Sequence, residues 1–366
     1  MPCEGHSAKT PVMNFASDNW AGASASVMEA LARHSAGVTP AYGSDPLTEA
    51  VSERFSEIFD RQVAVFFVPT GTAANALALS AYARPGGAVF CHADSHIQVD
   101  ECGCPEFLTG GNKLVGLNGT GGKITASGLG KTMQAFPDGV VHHGQVSAVS
   151  ITQATESGTV YGLDEIRAIK TEAFARGIPL HMDGARFANA LVSLDVSPAE
   201  MTWKSGVDVV SFGATKNGCW CAEAVVFFDL EAARGFEYLR KRAGHLLSKS
   251  RFVAAQFDGY FQDDTWLATA RHANAMAGRL AAGILEFGGR IPWPVQANEV
   301  FPVLKRSVVE QCQAAGAKIY EWPTSALSVE DAPAPDEVMV RMVTSFATTE
   351  ADVDGFLSVL AGAEAA

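Results

Sequence analysis

Nowhere does this 366-residue chain carry a long apolar run: the longest, residues 63–68 and 222–228, fall far short of the roughly 20 residues that a membrane-crossing helix needs. No membrane association is expected. Positive charge is scarce too. Lys and Arg number 27 against 40 Asp and Glu, a net charge of −13, which excludes the broad basic face that grips nucleic-acid phosphates. Any anion site must be local, built from backbone amides and a few placed cations. The seven cysteines are an odd count scattered among apolar segments, so no disulfide framework is indicated and a reducing, cytoplasmic setting is expected. The Cys-x-Cys pairs Cys102/Cys104 and Cys219/Cys221 lack the spacing and the histidine partners of a zinc site, so no metal is expected. Residues 1–13 lack the basic start and apolar stretch of a secretory signal and read as a loose polar leader.

What is present is apolar material for a substantial core, 48% hydrophobic against 18% charged residues. The length is about twice that of an ordinary domain, which suggests one large and one smaller unit. From residue 63 to about 229, short β-branched or apolar runs alternate with helical patterns, as in parallel strands joined by helical crossovers. Residues 146–151, 163–176 and 178–182 make one such strand, helix and strand unit, and 207–212 is the next strand. A basic helix then runs to about residue 246, followed by an irregular stretch with Lys249 and Arg251. Residues 266–287 are Ala-rich with helical spacing and stop at Gly288-Gly289. Beyond them the pattern predicts a strand (299–304), a helix (307–315), two strands (317–322 and 338–346) and a helix (350–360), with 328–336 as an exposed loop. The expected fold is α/β: a large domain with a mostly parallel sheet over 14–262 and a small α+β domain over 263–366.

In an open parallel sheet, ligands bind at the carboxyl ends of strands, and three strand ends here carry unusual polar residues. After 63–68 comes Pro69-Thr70-Gly71-Thr72, placing Gly71 and Thr72 where a helix begins and free amides can hold a phosphate. Taken singly, Thr-Gly before a helix is also an ordinary turn and cap. The strand 178–182 delivers Asp183, a carboxylate that can keep a pyridine nitrogen protonated, or else cap the next helix. The strand 207–212 leads through Gly213 and Ala214 to Lys216, whose amine, once neutral, can form an imine; its plainer alternative is an exposed turn lysine.

The order of phosphate turn, Asp, then Lys 33 residues later, each directly after a strand, resembles the fold-type I pyridoxal-phosphate enzymes. The wording around these residues resembles the low-specificity L-threonine aldolase family within them. The matching stretches are Phe15-Ala16-Ser17-Asp18-Asn19, Ala41-Tyr42-Gly43-Ser44-Asp45-Pro46, residues 70–75, His96, residues 211–218, residues 340–344 and, most specific, His181-Met182-Asp183-Gly184-Ala185-Arg186-Phe187. The resemblance spans nearly the whole of residues 14–361.

It implies pyridoxal 5'-phosphate as cofactor, Lys216 as its Schiff-base lysine, Asp183 as partner of the pyridine nitrogen, and Gly71 and Thr72 as phosphate ligands. Arg186 would sit beside the cofactor. His96 matches the histidine that stacks on the ring and is the first choice for the base acting on the β-hydroxyl. Ser17 and Arg341 match the residues holding the substrate carboxylate, a group that a guanidinium fork suits well. Glu156 stands near the place where many relatives have a histidine before a Gly-rich turn. The family's Gly-rich stretch before a cofactor-contacting arginine is replaced by residues 247–251, where Lys249 or Arg251 would reach a phosphate. Members are multimers with sites near interfaces, so a homo-oligomer, a tetramer or a dimer, is expected, with Tyr42 a further contributor. The implied reaction is cleavage of threonine, allo-threonine or related β-hydroxy-α-amino acids to glycine and an aldehyde. Another pyridoxal-phosphate lyase, a β-eliminating enzyme or a decarboxylase, is the alternative on the same scaffold. A non-catalytic cofactor-binding protein is the more distant one.

Overall fold

The structure is a computed structural model describing residues 13–324 and 327–364; the leader expected over 1–13 lies, except for Met13, outside the described residues. Seven strands make the larger sheet: β1 (Ala64–Val68), β2 (Gly87–His92), β3 (Lys113–Leu117), β4 (Gln145–Thr152), β5 (Leu180–Gly184), β6 (Val209–Gly213) and β7 (Glu223–Phe227). Their order is β1-β7-β6-β5-β4-β2-β3. The strands β3, β2, β4, β5 and β6 pair in parallel. β7 is antiparallel to both β6 and β1, because residues 214–222 turn the chain straight back instead of carrying it over a helix. β1 therefore runs in the same direction as β6, and the carboxyl ends of β1, β4, β5 and β6 open onto one edge.

β2, β5, β6 and β7 are buried along their whole length, and β4 nearly so, as expected when helices cover both faces of a sheet. Under the ends of β5 and β6 lies an aromatic cluster. Phe212 contacts Phe55 edge-on at 5.2 Å between ring centroids, and also Phe187, Phe261 and Trp266. Above it the two strand ends come unusually close, which two glycines permit. A Cβ on Gly213 would lie 2.6 Å from the carbonyl oxygen of Ala185, and one on Gly184 would lie 2.8 Å from that of Ser211.

A second core, which includes Met276, Leu280, Val300, Val340 and Phe356, belongs to the smaller unit. Met13 and Phe15 pack there too, with Asn14 bridging to Lys318 and Phe15 edge-on to Phe356 at 5.5 Å. The helix Thr265–Glu286 joins the cores: Trp266 and Ala270 face the larger one, Met276 to Ile284 the smaller.

Several boundaries differ from the sequence expectation. The strand expected over 299–304 is broken at Pro302 into β8 (Glu299–Val300) and β9 (Val303–Lys305), since proline has no amide to continue a ladder. The next strands are β10 (Tyr320–Glu321), much shorter than expected, and β11 (Glu337–Val343). The basic helix stops at Arg242 rather than near 246, with Gly244 at φ 82° just beyond.

Candidate active site

At the carboxyl edge of the larger sheet a cavity of about 390 Å3 is lined by Thr70, Gly71, Thr72, Asn75, His96, Asp183, Lys216 and Glu223, with Trp220 and Cys221 among the residues at its wall. The helix Gly71–Ser80 points its first turn into it. Thr70 caps that turn, its Oγ1 accepting from the Ala73 amide at 3.2 Å and its carbonyl from the Ala74 amide at 3.1 Å. The amides of Gly71 and Thr72 precede any i−4 carbonyl of the helix and are left for an anion. A Cβ on Gly71 would meet nothing within 4 Å, so the space before this turn is open.

Asp183, at the end of β5, is 3% exposed. Its Oδ1 accepts from the Ala185 amide at 3.0 Å and its Oδ2 from Asn75 Nδ2 at 2.8 Å. Both donors are neutral, and no described cation forms an ion pair with it. The carboxylate's charge is thus held in place yet available to a cationic ligand atom. Two residues earlier on the same strand face, His181 is bound between Ser150 (2.8 Å) and Ser211 (2.9 Å). Burial pushes its pKa down to about 4, so it stays uncharged beneath the site.

Lys216 lies in the tight turn Thr215–Asn217 after β6. Asn217 anchors this turn in the core by donating to Tyr260 Oη and the Trp266 carbonyl, both at 2.8 Å. Among the described residues no carboxylate lies within salt-bridge distance of Lys216. Glu223, across the cavity wall, has its pKa pushed up to about 7 by burial. His96 opens the short helix His96–Val99, and its Nδ1 lies 2.8 Å from Glu101 Oε1. That hydrogen bond holds the imidazole above its ordinary value, against the effect of burial. Burial in turn raises Glu101, whose bonds to His96 and Asn75 act the other way.

None of the remaining sequence-nominated residues is among those that line this cavity. Arg186 is buried just behind it, donating to Asp18 at 2.8 and 3.2 Å through Nε and Nη2, with Nη1 3.1 Å from Glu299. Burial alone would raise Asp18, but Arg186 and Lys216 outweigh it and hold that carboxyl below its usual value. Ser17 caps the turn Asp18–Trp20, accepting from the Asn19 amide at 3.1 Å, and Asn19 reaches the cavity wall. Arg341, on β11, stands 4.5 Å over the Trp322 ring and donates to the Ala16 carbonyl at 3.4 Å. Glu156 is near enough to act on the charges of His96, Arg186 and Glu299.

Tyr42 is half exposed at φ 61° with Lys241 over its ring at 4.9 Å, and Arg251 donates to Thr39 Oγ1 at 3.0 Å. Neither they nor Lys249 line this chain's cavity. Sequence reasoning passed over Asn75, Glu101, Asp18, Glu299 and Glu223. Asn75 and Asp18 stood inside motifs already singled out, whereas Glu101, five residues after His96, carried no local signal. The six described cysteines are free, and no described group of His, Cys, Asp and Glu is arranged to hold a metal. Among the described residues no helix is long and apolar enough to cross a membrane.

The donor set suits pyridoxal phosphate in each of its parts: first-turn amides for a phosphate dianion, an unpaired buried carboxylate for a ring nitrogen, and a free lysine for an aldehyde carbon. A model of the β-eliminating lyase family matches residues 14–307. A low specificity L-threonine aldolase from Pseudomonas aeruginosa is 43% identical over 309 residues, covering 84% of this chain and 89% of that protein. One from another Pseudomonas strain is 40% identical over the same shares. The solved structure of Leishmania major threonine aldolase superposes with a TM-score of 0.87 at 27% identity, covering 95% of this chain and 98% of that one.

Proposed function

The chain belongs to the β-eliminating lyase family and is a pyridoxal-phosphate-dependent lyase of the threonine aldolase type, and on that premise we propose how its own residues divide the reaction. The substrate is a β-hydroxy-α-amino acid such as threonine, allo-threonine or phenylserine, cut between Cα and Cβ into glycine and an aldehyde. When bound, pyridoxal phosphate supplies the electron sink for the pair left on Cα when that bond breaks.

Gly71 and Thr72 hold the phosphate through their amides. Asp183 would face the ring nitrogen and keep it protonated, and Lys216 would supply the amine through which the cofactor is attached. Arg341 and Ser17 would fix the substrate carboxylate and so orient the bond to be broken. His96 takes the β-hydroxyl proton at Nε2, the nitrogen its bond to Glu101 leaves free. Arg186, locked to Asp18 and Glu299, stiffens the wall behind the ring and sets the position of Ser17 through its neighbour. Glu156 borders the side of the substrate that carries the β-hydroxyl.

The observation that carries this reading is the meeting of an uncompensated buried carboxylate, Asp183, and an unpaired lysine, Lys216, on one cavity with a free helix start. Incubating the holoenzyme with threonine and phenylserine tests it. Glycine and an aldehyde support it, and ammonia with a keto acid would move the enzyme to β-elimination. Lys216→Ala should keep its fold and lose the visible absorbance of covalently attached cofactor. Since the family resemblance implies sites near subunit interfaces, we assign Tyr42, Lys249 and Arg251, which do not line their own chain's cavity, to a neighbouring subunit's site in a cytoplasmic homotetramer. Light scattering checks this, and a fully active monomer would refute it.

A further inference from the structure

Asn75 sits in the second turn of the helix Gly71–Ser80, 2% exposed, and both hydrogens of its amide nitrogen are used. One goes to Asp183 Oδ2 at 2.8 Å and the other to Glu101 Oε1 at 2.9 Å. The same Glu101 oxygen faces His96 Nδ1 at 2.8 Å. His96, Glu101, Asn75 and Asp183 therefore form one continuous chain of hydrogen bonds across the floor of the cavity. An amide nitrogen only donates, so the carboxyl oxygens it meets on either side are acceptors, and the arrangement suits two carboxylates bridged by a neutral group.

As a purely stabilising cluster it is a poor one. Glu101 Oε2 and Asn75 Oδ1 are buried without a partner among the described residues, and two like charges face each other through one amide. The arrangement makes better sense as a device for orienting an imidazole. A carboxylate at Nδ1 fixes both the ring and its tautomer, and it steadies the imidazolium that forms when Nε2 takes a proton.

We infer that Glu101 is the positioning residue of His96, keeping the imidazole proton on Nδ1 so that Nε2 is the acceptor in the cavity, and that Asn75 couples this pair to Asp183. The inference deepens the proposed function and rests on His96 being the group that takes the β-hydroxyl proton. The charges facing His96 are Glu101 on its own segment, Asp183 from β5 and Glu156 from the turn after β4; Lys216 and Glu223 share its cavity. All three of those carboxylates favour the imidazolium, and the direct bond to Glu101 is the largest influence.

The two links act in opposite directions, which gives the test its discrimination. Glu101→Gln keeps the shape, and an oxygen for Asn75 and for Nδ1, but removes the charge. Asn75→Leu keeps the volume but removes the donor that stabilises ionised Glu101, so the His96–Glu101 pair holds its shared proton to higher pH. The experiment is 15N NMR titration of histidine-labelled protein, with and without cofactor, beside pH profiles of kcat for threonine cleavage by the holoenzyme.

Wild type should show neutral His96 protonated on Nδ1. In Glu101→Gln the titration midpoint should fall by about one unit or more, and kcat should drop about 100-fold at unchanged KM and cofactor occupancy. The acid limb of kcat should move to lower pH in Glu101→Gln and to higher pH in Asn75→Leu. A wild-type His96 protonated on Nε2, an unchanged midpoint in Glu101→Gln, or acid limbs that move together in the two variants, would overturn the inference. Should one variant not fold, the tautomer in wild type and the sign of the shift in the other still decide it. A wild type that fails to cleave threonine would instead strike the proposed function, and the NMR result would stand apart from it.

Discussion

Replacing Asp183 by asparagine separates the electronic role of this carboxylate from its structural one. Its Oδ1 accepts from the Ala185 amide and its Oδ2 from Asn75 Nδ2. In Asp183→Asn the new side-chain carbonyl keeps the first bond, but the new NH2 then meets the NH2 of Asn75, donor against donor. Turning Asn75 over mends that contact at the expense of its bond to Glu101, so one buried hydrogen bond is lost either way. The stability cost is about 1–3 kcal/mol, visible as a fall of a few degrees in Tm.

The effect on activity should be larger and of another kind. The ring nitrogen would lose its anionic partner, and the neutral amide no longer favours its protonated form. A charged hydrogen bond of this type contributes about 1.5–3 kcal/mol, and more where water is excluded. At about 3 kcal/mol the fall in kcat is about 150-fold. The assay is glycine release with cofactor occupancy measured on the same sample and Tm recorded beside it. A variant whose kcat per bound cofactor stays within about threefold of wild type, whatever its Tm, would show that Asp183 only shapes the strand end.

Gly213→Ala should cost about 2–3 kcal/mol, since its Cβ would press on the backbone of Gly184 and Ala185; cofactor affinity, measured by absorbance titration, should fall with it as Asp183 and Lys216 are forced apart. Arg341→Leu should raise KM for threonine about 10- to 100-fold without loss of bound cofactor, and an unchanged KM would place Arg341 outside the substrate site. Glu223 titrates near pH 7 in the fold against an ordinary value of 4.5. A raised value means that the stability of its neutral form is complete below pH 4.5 and is lost as pH rises through about 7. Glu223→Gln should accordingly stabilise the cofactor-free protein at pH 8 relative to pH 5, by up to about 3 kcal/mol. Equal denaturant midpoints for variant and wild type at both pH values would contradict that account.

Lys216, Asp183 and Gly71 could be read from the sequence because each lies just after an apolar strand, and strand ends are where an open sheet binds its ligands, whereas His96 came from the family resemblance. The reversal of β7 could not. The run 222–228 is equally apolar in either direction, and only the tight return through residues 214–222 makes it antiparallel. The supporting polar network was hidden for a different reason. Asn75 meets Asp183 across 108 residues and Asp18 meets Arg186 across 168, so no local spacing links the partners. Pro302 was plainly visible, but its splitting of one expected strand into β8 and β9 depends on how β11 pairs with each half.

The packing of Met13 and Phe15 against the helix Glu350–Glu364 has a consequence for how the molecule is made. On the ribosome, residues near 13–18 emerge long before residue 350, while the larger sheet between them can already close. The early segment must wait, unpaired, until that helix and β11 leave the exit tunnel, because its amide and carbonyl partners are on Lys318 and Val343. Ser17, Asp18 and the cavity residue Asn19 follow directly on that segment, so this side of the cavity is set only after β11 and that helix have been made, rather than with the sheet that forms most of the cavity. A nascent chain truncated before β11 should therefore hold a folded sheet whose substrate side is still open.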